Sequence, residues 1–173
     1  MAKILVIDDD NYLRGIYVAV FSDAGYEVFD AFDGKEGLES AKKNQPDLVF
    51  TGIVMPNMTG FDMMTAMKTD EQLKNIPVVV SSHLGRETDR VQAEELGAKA
   101  FIVKGRFSPK QVVQIVTDLL ESKANDKKYR VLIDPYAFDG TQFRIDQEIT
   151  GSMILEITPS LGKEHFRARL IKE

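Results

Sequence analysis

The sequence predicts an α/β fold in residues 1–124, followed by a small antiparallel β module in residues 125–173. In the first part, short apolar runs alternate five times with amphipathic segments of helical length. The apolar runs are rich in Val and Ile and mostly lack polar alternation, which is typical of parallel strands covered on both faces. Beyond a polar stretch at residues 121–128 the hydrophobic period becomes two. Two parts of different architecture are therefore expected.

Each element of the first part has its own local signal. The predicted strands are Ile4–Ile7, Tyr26–Phe29, Leu48–Phe50, Val78–Val80 and Ala100–Val103. Helices are expected between and after them, at about residues 11–24, 34–44, 59–69, 86–96 and 108–123. Ser108-Pro109 marks the start of the last helix, because serine caps it and proline has no N–H to lose. Five strand-plus-helix units predict a doubly wound, five-stranded parallel sheet of the flavodoxin-like kind.

The second part reads as β structure joined by a linker. Alternating apolar residues occur in four stretches, around residues 129–133, 143–149, 153–157 and 166–170. Turn residues such as Asp139-Gly140 separate them, so three or four antiparallel strands are expected. About 45 residues are too few for such a sheet to be stable alone. We therefore expect it to pack on the first domain, on a partner or on a second copy.

Composition excludes several classes of protein. The net charge is −5, and residues 1–124 carry the whole acidic excess, with 14 basic against 19 acidic side chains. No basic surplus marks a nucleic-acid-binding surface, so we expect no nucleic acid partner. No apolar stretch approaches the roughly 20 residues of a membrane span. The chain has no cysteine and begins directly with a strand pattern, which favours a cytoplasmic protein.

Polar side chains stand where the predicted strands end. Asp8 and Asp9 follow the first strand, Ser82 follows the fourth and Lys104 the fifth. Because ligands of doubly wound sheets bind at the carboxyl ends of the strands, these groups should meet. Carboxylates suit Mg²⁺, and a lysine and a hydroxyl suit phosphoryl oxygens. The pattern predicts a phosphoryl-transfer pocket in which the third strand ends in Gly52 and offers no acceptor.

The order of these motifs resembles the receiver domain of bacterial two-component response regulators, over residues 3–121. The motifs that carry the resemblance are Ile4-Leu5-Val6-Ile7-Asp8-Asp9-Asp10, Pro46-Asp47-Leu48-Val49, Met55-Pro56-Asn57-Met58-Thr59-Gly60, Ile76-Pro77-Val78-Val79-Val80-Ser81-Ser82, Gly97-Ala98 and Phe101-Ile102-Val103-Lys104. Any one of them alone is weak, but together and in this order they are specific.

The resemblance implies roles for the acidic residues and for the glycine. Asp8 and Asp9 match the metal-binding acids of the family, and Gly52 matches its phosphoacceptor aspartate. No acyl phosphate can form at glycine. The metal site also loses a carboxylate, so Mg²⁺ is expected to bind weakly if it binds, and no other cofactor is implied. Lys104 loses a partner and is expected to turn to Asp8 or Asp9.

The other matches concern the switch. Ser82 matches the switch hydroxyl, Phe101 the aromatic that changes rotamer with it, and Lys104 the lysine that contacts the phosphoryl group. Thr59 replaces the usual acid of its loop, and Gly105 replaces the proline that usually follows the lysine. Since a cis peptide before a residue other than proline costs about 2.5–4 kcal/mol, a trans Lys104-Gly105 bond is expected.

These matches predict a pseudo-receiver, a non-enzymatic signalling module that acts through protein–protein contacts without phosphorylation of an aspartate of its own. The family implies a protein partner such as a sensor kinase or a downstream effector, with homodimerisation as a further option. Its usual contact surface corresponds to residues 84–120. The module at residues 125–173 would serve as output or dimerisation element.

Other readings remain open at this stage. Gly52 is, in one of them, a substitution in an otherwise phosphorylatable response regulator. Asp8-Asp9-Asp10 also contains the Asp-x-Asp of haloacid-dehalogenase-like phosphatases, but Tyr12 stands where those enzymes have a threonine. The β tail invites comparison with second-messenger-binding modules of the PilZ type, whose arginine-rich motif is absent. His83 is expected to be an exposed loop residue.

Overall fold

The computed structural model describes residues 1–124, 154–159 and 166–171. Its first part alternates strands and helices, in the order β1 Lys3–Ile7, α1 Asn11–Asp23, β2 Glu27–Ala31, α2 Gly34–Asn44, β3 Leu48–Gly52, α3 Gly60–Thr69, β4 Val78–Ser82, α4 Glu87–Glu95, β5 Ala100–Val103 and α5 Pro109–Ala124. Every predicted strand and helix of this part is present, with ends within two residues of those expected. The proline at the start of α5 occupies the first helical position, as predicted.

The five strands form one parallel sheet in the order β2-β1-β3-β4-β5. This arrangement confirms the doubly wound, flavodoxin-like fold. Successive side chains of a strand point to opposite faces, so β1 contributes residues to the hydrophobic cores on both sides of the sheet. Ile4 and Val6 join the core that includes Phe21 of α1 and Val116 of α5. Leu5 and Ile7 join the other one, which the methionines of α3 help to fill.

Helix starts are capped by the residues that follow the strands. Asp10 caps α1, where its carboxylate accepts hydrogen bonds from the backbone N–H groups of Tyr12 and Leu13. Thr59 caps α3 in a reciprocal capping box with Asp62. Because each cap fixes the first turn of a helix, it also fixes the loop that lies at the carboxyl edge of the sheet.

The chain divides into two units, Met1–Leu120 and Glu121–Glu173. In the second unit, β6 Ile154–Pro159 and β7 Phe166–Ile171 pair in antiparallel fashion, from Ile154 opposite Ile171 to Pro159 opposite Phe166. They coincide with two of the predicted strands. The stretches around 129–133 and 143–149 lie outside the described residues, and the boundary at 124/125 stays a prediction. Among the described helices, none has the length and apolar character of a membrane span.

Candidate functional site

Adjacent strands of the sheet bring the predicted site residues to one edge. Asp8 follows β1, Gly52 ends β3 and Ser82 ends β4, while Lys104 follows β5. The register places Gly52 opposite Ser81, and Ser82 opposite Val103. Residues that are up to 96 positions apart along the chain therefore surround one pocket. We define this pocket by Asp8, Gly52, Ser82 and Lys104.

The centre of the pocket is an ion pair. The Lys104 Nζ atom lies 2.5 Å from Oδ2 of Asp8, and the two side chains are only 7% and 1% exposed. The expectation that Lys104 turns to one of the two aspartates is confirmed, and the partner is Asp8. Asp9 is exposed, so water solvates its carboxylate and weakens its attraction for the Lys104 ammonium. The positive charge of Lys104 is thus already compensated within the chain.

The remaining contacts of Asp8 hold it in place. Its Oδ1 accepts a hydrogen bond from the backbone N–H of Asp10 at 3.1 Å. Its carbonyl oxygen accepts one from Arg14 Nη1 at 2.7 Å, and Asp30 anchors the same guanidinium at 2.9 Å. The aspartate is therefore fixed from its backbone and from both carboxylate oxygens.

This arrangement does not fit a magnesium ion. Mg²⁺ needs carboxylate oxygens and waters in an octahedral shell, yet both oxygens of Asp8 are engaged by Lys104 and Asp10. Gly52 contributes no carboxylate. In the part of the chain that the structure describes, no group of three His, Cys, Asp or Glu side chains is placed to hold a metal.

Gly52 leaves room at the pocket. A Cβ built on it would lie 3.6 Å from Asp8 Oδ2 and 3.6 Å from Met55 Sδ, which are ordinary contact distances. Its backbone is not in the left-handed region. Gly60 is the opposite case, because a Cβ there would lie 2.0 Å from the carbonyl oxygen of Gly52. The loop after β3 therefore tolerates a side chain at Gly52 and none at Gly60.

The two switch-equivalent residues have structural contacts. Ser82 is 4% exposed, and its Oγ accepts a hydrogen bond from the backbone N–H of Leu84 at 3.3 Å. Phe101 is half-buried, and the guanidinium of Arg90 lies 5.5 Å from its ring centroid, a cation–π distance. Both contacts stabilise the loop and helix that follow β4.

One contact at the pocket was missed by sequence reasoning. His83 is exposed, as predicted, but its Nε2 lies 3.3 Å from Lys104 Nζ. No motif marks this contact, since it depends on the turn after β4 and on the extension of the Lys104 side chain. The position directly after Ser82 was the only signal.

Two departures from the receiver pattern have visible structural reasons. Thr59 is the N-cap of α3, and its Oγ1 donates to Asp62 Oδ2 at 2.6 Å. Gly105 has a φ of 84°, a left-handed conformation that favours glycine. The Lys104-Gly105 peptide is trans, as predicted.

Charge and burial shift the pKa of groups around the pocket. Burial raises the pKa of the Tyr17 hydroxyl, and the negative charge of Asp8 adds to the rise. The buried Ser81 hydroxyl offsets part of it, although it reaches no described partner with hydrogen-bond geometry. The backbone N–H of Leu13 is the main cause that lowers the pKa of Asp10. Both shifts favour the forms present at neutral pH, a neutral phenol and an ionised cap.

A second carboxylate ties the loops together. Asp33 caps α2 and accepts a hydrogen bond from Asn57 Nδ2 at 2.5 Å. This contact is the main cause that lowers the pKa of Asp33 below the ordinary 3.8. Asn57 itself has a positive φ of 58°. The contact joins the loop after β2 to the loop that follows Gly52.

Comparison with known proteins decides the family. The model of the "Response regulator receiver domain" matches residues 4–117. The chain belongs to this receiver family. The chemotaxis protein CheY of Thermotoga maritima is 37% identical over 114 residues, which cover 65% of this chain and 92% of that protein. The structure of CheY4 from Vibrio cholerae is 31% identical, with a TM-score of 0.64 over 68% of this chain and 98% of that one.

Other relatives are longer than this receiver. The "DNA-binding dual master transcriptional regulator RpaA" of a Synechocystis strain is 34% identical over 104 residues, 60% of this chain and 43% of that protein. The chain spans about half the length of such regulators or less. Receiver domains are signalling modules, generally not catalytic, that interact with kinases and effectors and typically bind Mg²⁺ at the acceptor site.

Proposed function

We propose that this receiver is a pseudo-receiver of a two-component-type pathway, which acts through protein contacts without phosphorylation of an aspartate of its own. One observation carries the proposal. Lys104 is already paired with Asp8 beside a Gly52 that has no side chain. The carboxylate that would accept a phosphoryl group is therefore absent, and the lysine that would neutralise it is paired with Asp8.

The labelling of the chain by acetyl phosphate in the presence of Mg²⁺ tests this proposal. We expect no hydroxylamine-sensitive acyl phosphate on the wild-type chain, because neither the acceptor nor the three-carboxylate metal site is present. Gly52→Asp is the matched variant, since a Cβ fits there at 3.6 Å from its nearest neighbours. Stoichiometric acyl phosphate on the wild type would refute the proposal.

A second candidate function rests on the same position, since a Cβ at Gly52 would make only ordinary contacts. If the chain derives from a phosphorylatable response regulator by substitution at this position alone, Gly52→Asp should restore labelling and Mg²⁺ binding together. We favour the first candidate, because Thr59 and Gly105 also depart from the family pattern and each serves a structural role. The haloacid-dehalogenase-like alternative is dropped, since residues 4–117 match the receiver family. The PilZ-like comparison concerned the module at residues 125–173, which lies beyond that match.

The partner is a protein, such as a sensor kinase or a downstream effector, in the cytoplasm. The surface of residues 84–120 includes two exposed apolar side chains, Leu84 at 64% and Val91 at 45%. Self-association through it predicts a homodimer that Val91→Lys weakens, measured by sedimentation of the full chain. The DNA binding named for RpaA belongs to that protein, and residues 1–124 here carry more acidic than basic side chains.

A further inference from the structure

We propose that His83 is a phosphoryl acceptor of this receiver, through its Nε2 atom. The inference rests on the proposed function, because it asks what a receiver without an acceptor aspartate can still do. The exposed ring is open to a donor, and its Nε2 faces Lys104 Nζ at 3.3 Å. The chemical class of donor is a phosphoramidate, a compound in which phosphorus is bound to nitrogen.

The contact with Lys104 identifies the reactive nitrogen. A lysine ammonium has three donors and no acceptor, so Nε2 is the acceptor in this contact. The proton of the neutral ring then resides on Nδ1, and the lone pair of Nε2 points toward Lys104 Nζ, which has to release it before the nitrogen can attack phosphorus. A lone pair on a neutral imidazole nitrogen is the nucleophile that covalent transfer requires.

Lys104 offers the incoming group a hydrogen-bond donor, although its charge is already paired with Asp8. Lys104 uses one N–H for Asp8 and another for His83. When Nε2 binds phosphorus, the N–H that faced it can turn to a phosphoryl oxygen. Gly52 lies opposite Ser81, two residues before His83, and has no side chain to fill the pocket.

The transfer is balanced without a further reactant. The P–N bond of the donor breaks, and its electron pair stays on the donor nitrogen. The lone pair of His83 Nε2 forms the new P–N bond, while Nδ1 keeps its proton. A protonated phosphoimidazole donor releases neutral imidazole, phosphoramidate in its N-protonated form releases ammonia, and in both cases His83 becomes the protonated phosphoimidazole. Bonds of the same kind break and form, so no additional energy source is needed.

The test uses potassium phosphoramidate with the full chain, and mass spectrometry to map and time the modification. We expect His83 to be labelled about 10-fold faster than N-acetylhistidine in the same tube, because a charge-assisted donor stabilises the incoming group. His83→Gln should remove this fast site, and His165→Gln, the control at the other histidine, should keep it. Labelling of His83 no faster than N-acetylhistidine would overturn the proposal.

Two further measurements test the role of Lys104 and the chemical nature of the label. Asp8→Asn removes the negative charge that competes for Lys104, so labelling of His83 should become faster; slower labelling would contradict the role of Lys104. The label must also be acid-labile and stable in alkali, as phosphohistidine is, whereas an acyl phosphate is labile in both. A hydroxylamine-sensitive label on a carboxylate would refute the proposed function instead, and an unlabelled chain would refute only the histidine.

Discussion

Replacement of Lys104 by methionine tests whether the pocket is held by its ion pair. At the observed 2.5 Å, the attraction of the two charges is about 7 kcal/mol for an effective dielectric constant of about 20. Desolvation offsets much of this gain, but removal of one partner leaves a buried charge alone and costs about 3–5 kcal/mol. Asp8 keeps the N–H of Asp10, so we expect a loss of about 3 kcal/mol.

The assay is urea unfolding of the full chain, followed by helical circular dichroism because the chain has no tryptophan. Lys74→Met is the matched control. Its ion pair with Glu71 is equally short, at 2.6 Å, but its side chains are 41% and 83% exposed. We expect a change of at most about 0.5 kcal/mol for the control.

A double variant isolates the pair. Asp8→Asn together with Lys104→Met leaves no charge unpaired, so it should be more stable than the sum of the single losses predicts, by about 2 kcal/mol. Losses for Lys104→Met below about 1 kcal/mol would show that solvent already compensates Asp8. That result would refute the reasoning for the buried pair.

Three further predictions concern backbone space and pH. Gly60→Ala should lose more than about 4 kcal/mol of unfolding free energy, or fail to fold, because its Cβ would lie 2.0 Å from the carbonyl oxygen of Gly52. Gly15→Ala is the control within a helix, where nothing lies within 4 Å, and should gain about 0.5–1 kcal/mol; a loss there would contradict the helix argument. Because Asp33 has a pKa below 3.8, its contribution to stability is present above that pH and disappears as the pH falls through the folded-state pKa. The difference in melting temperature between wild type and Asn57→Ala should therefore shrink in acid, down to the pH-independent cost of alanine at the positive φ of Asn57; a difference that stays constant with pH would refute the link.

The fold of the first part could be predicted from sequence because its signals are local. Apolar runs buried on both faces, glycines after helices and the proline of α5 each act within a few residues. Gly25 and Gly97 lie just after α1 and α4 and have φ values of 90° and 84°, the left-handed conformation that glycine favours at a helix end. The strand order then follows from the family and from the rules of doubly wound sheets.

The site could be predicted only in part. The positions of the strand ends predicted which residues lie close together. The loss of the carboxylate at position 52 implied that Lys104 pairs with a different carboxylate. The choice between Asp8 and Asp9 could not be made, because it depends on burial, and burial depends on the packing of α1 and Arg14. The approach of His83 to Lys104 depends on side-chain rotamers, and its only signal in the sequence was the position directly after Ser82.

The close approach of Gly60 to the carbonyl of Gly52 has a consequence for how such receivers evolve. The loop after β3 is shaped by backbone contacts, such as the hydrogen bond from Gly60 N–H to the Ile53 carbonyl at 2.9 Å. No part of that shape depends on a side chain at Gly52. A single base change can therefore replace an aspartate by glycine at this position while the fold stays intact. The surface of the domain can then be selected for binding to new partners.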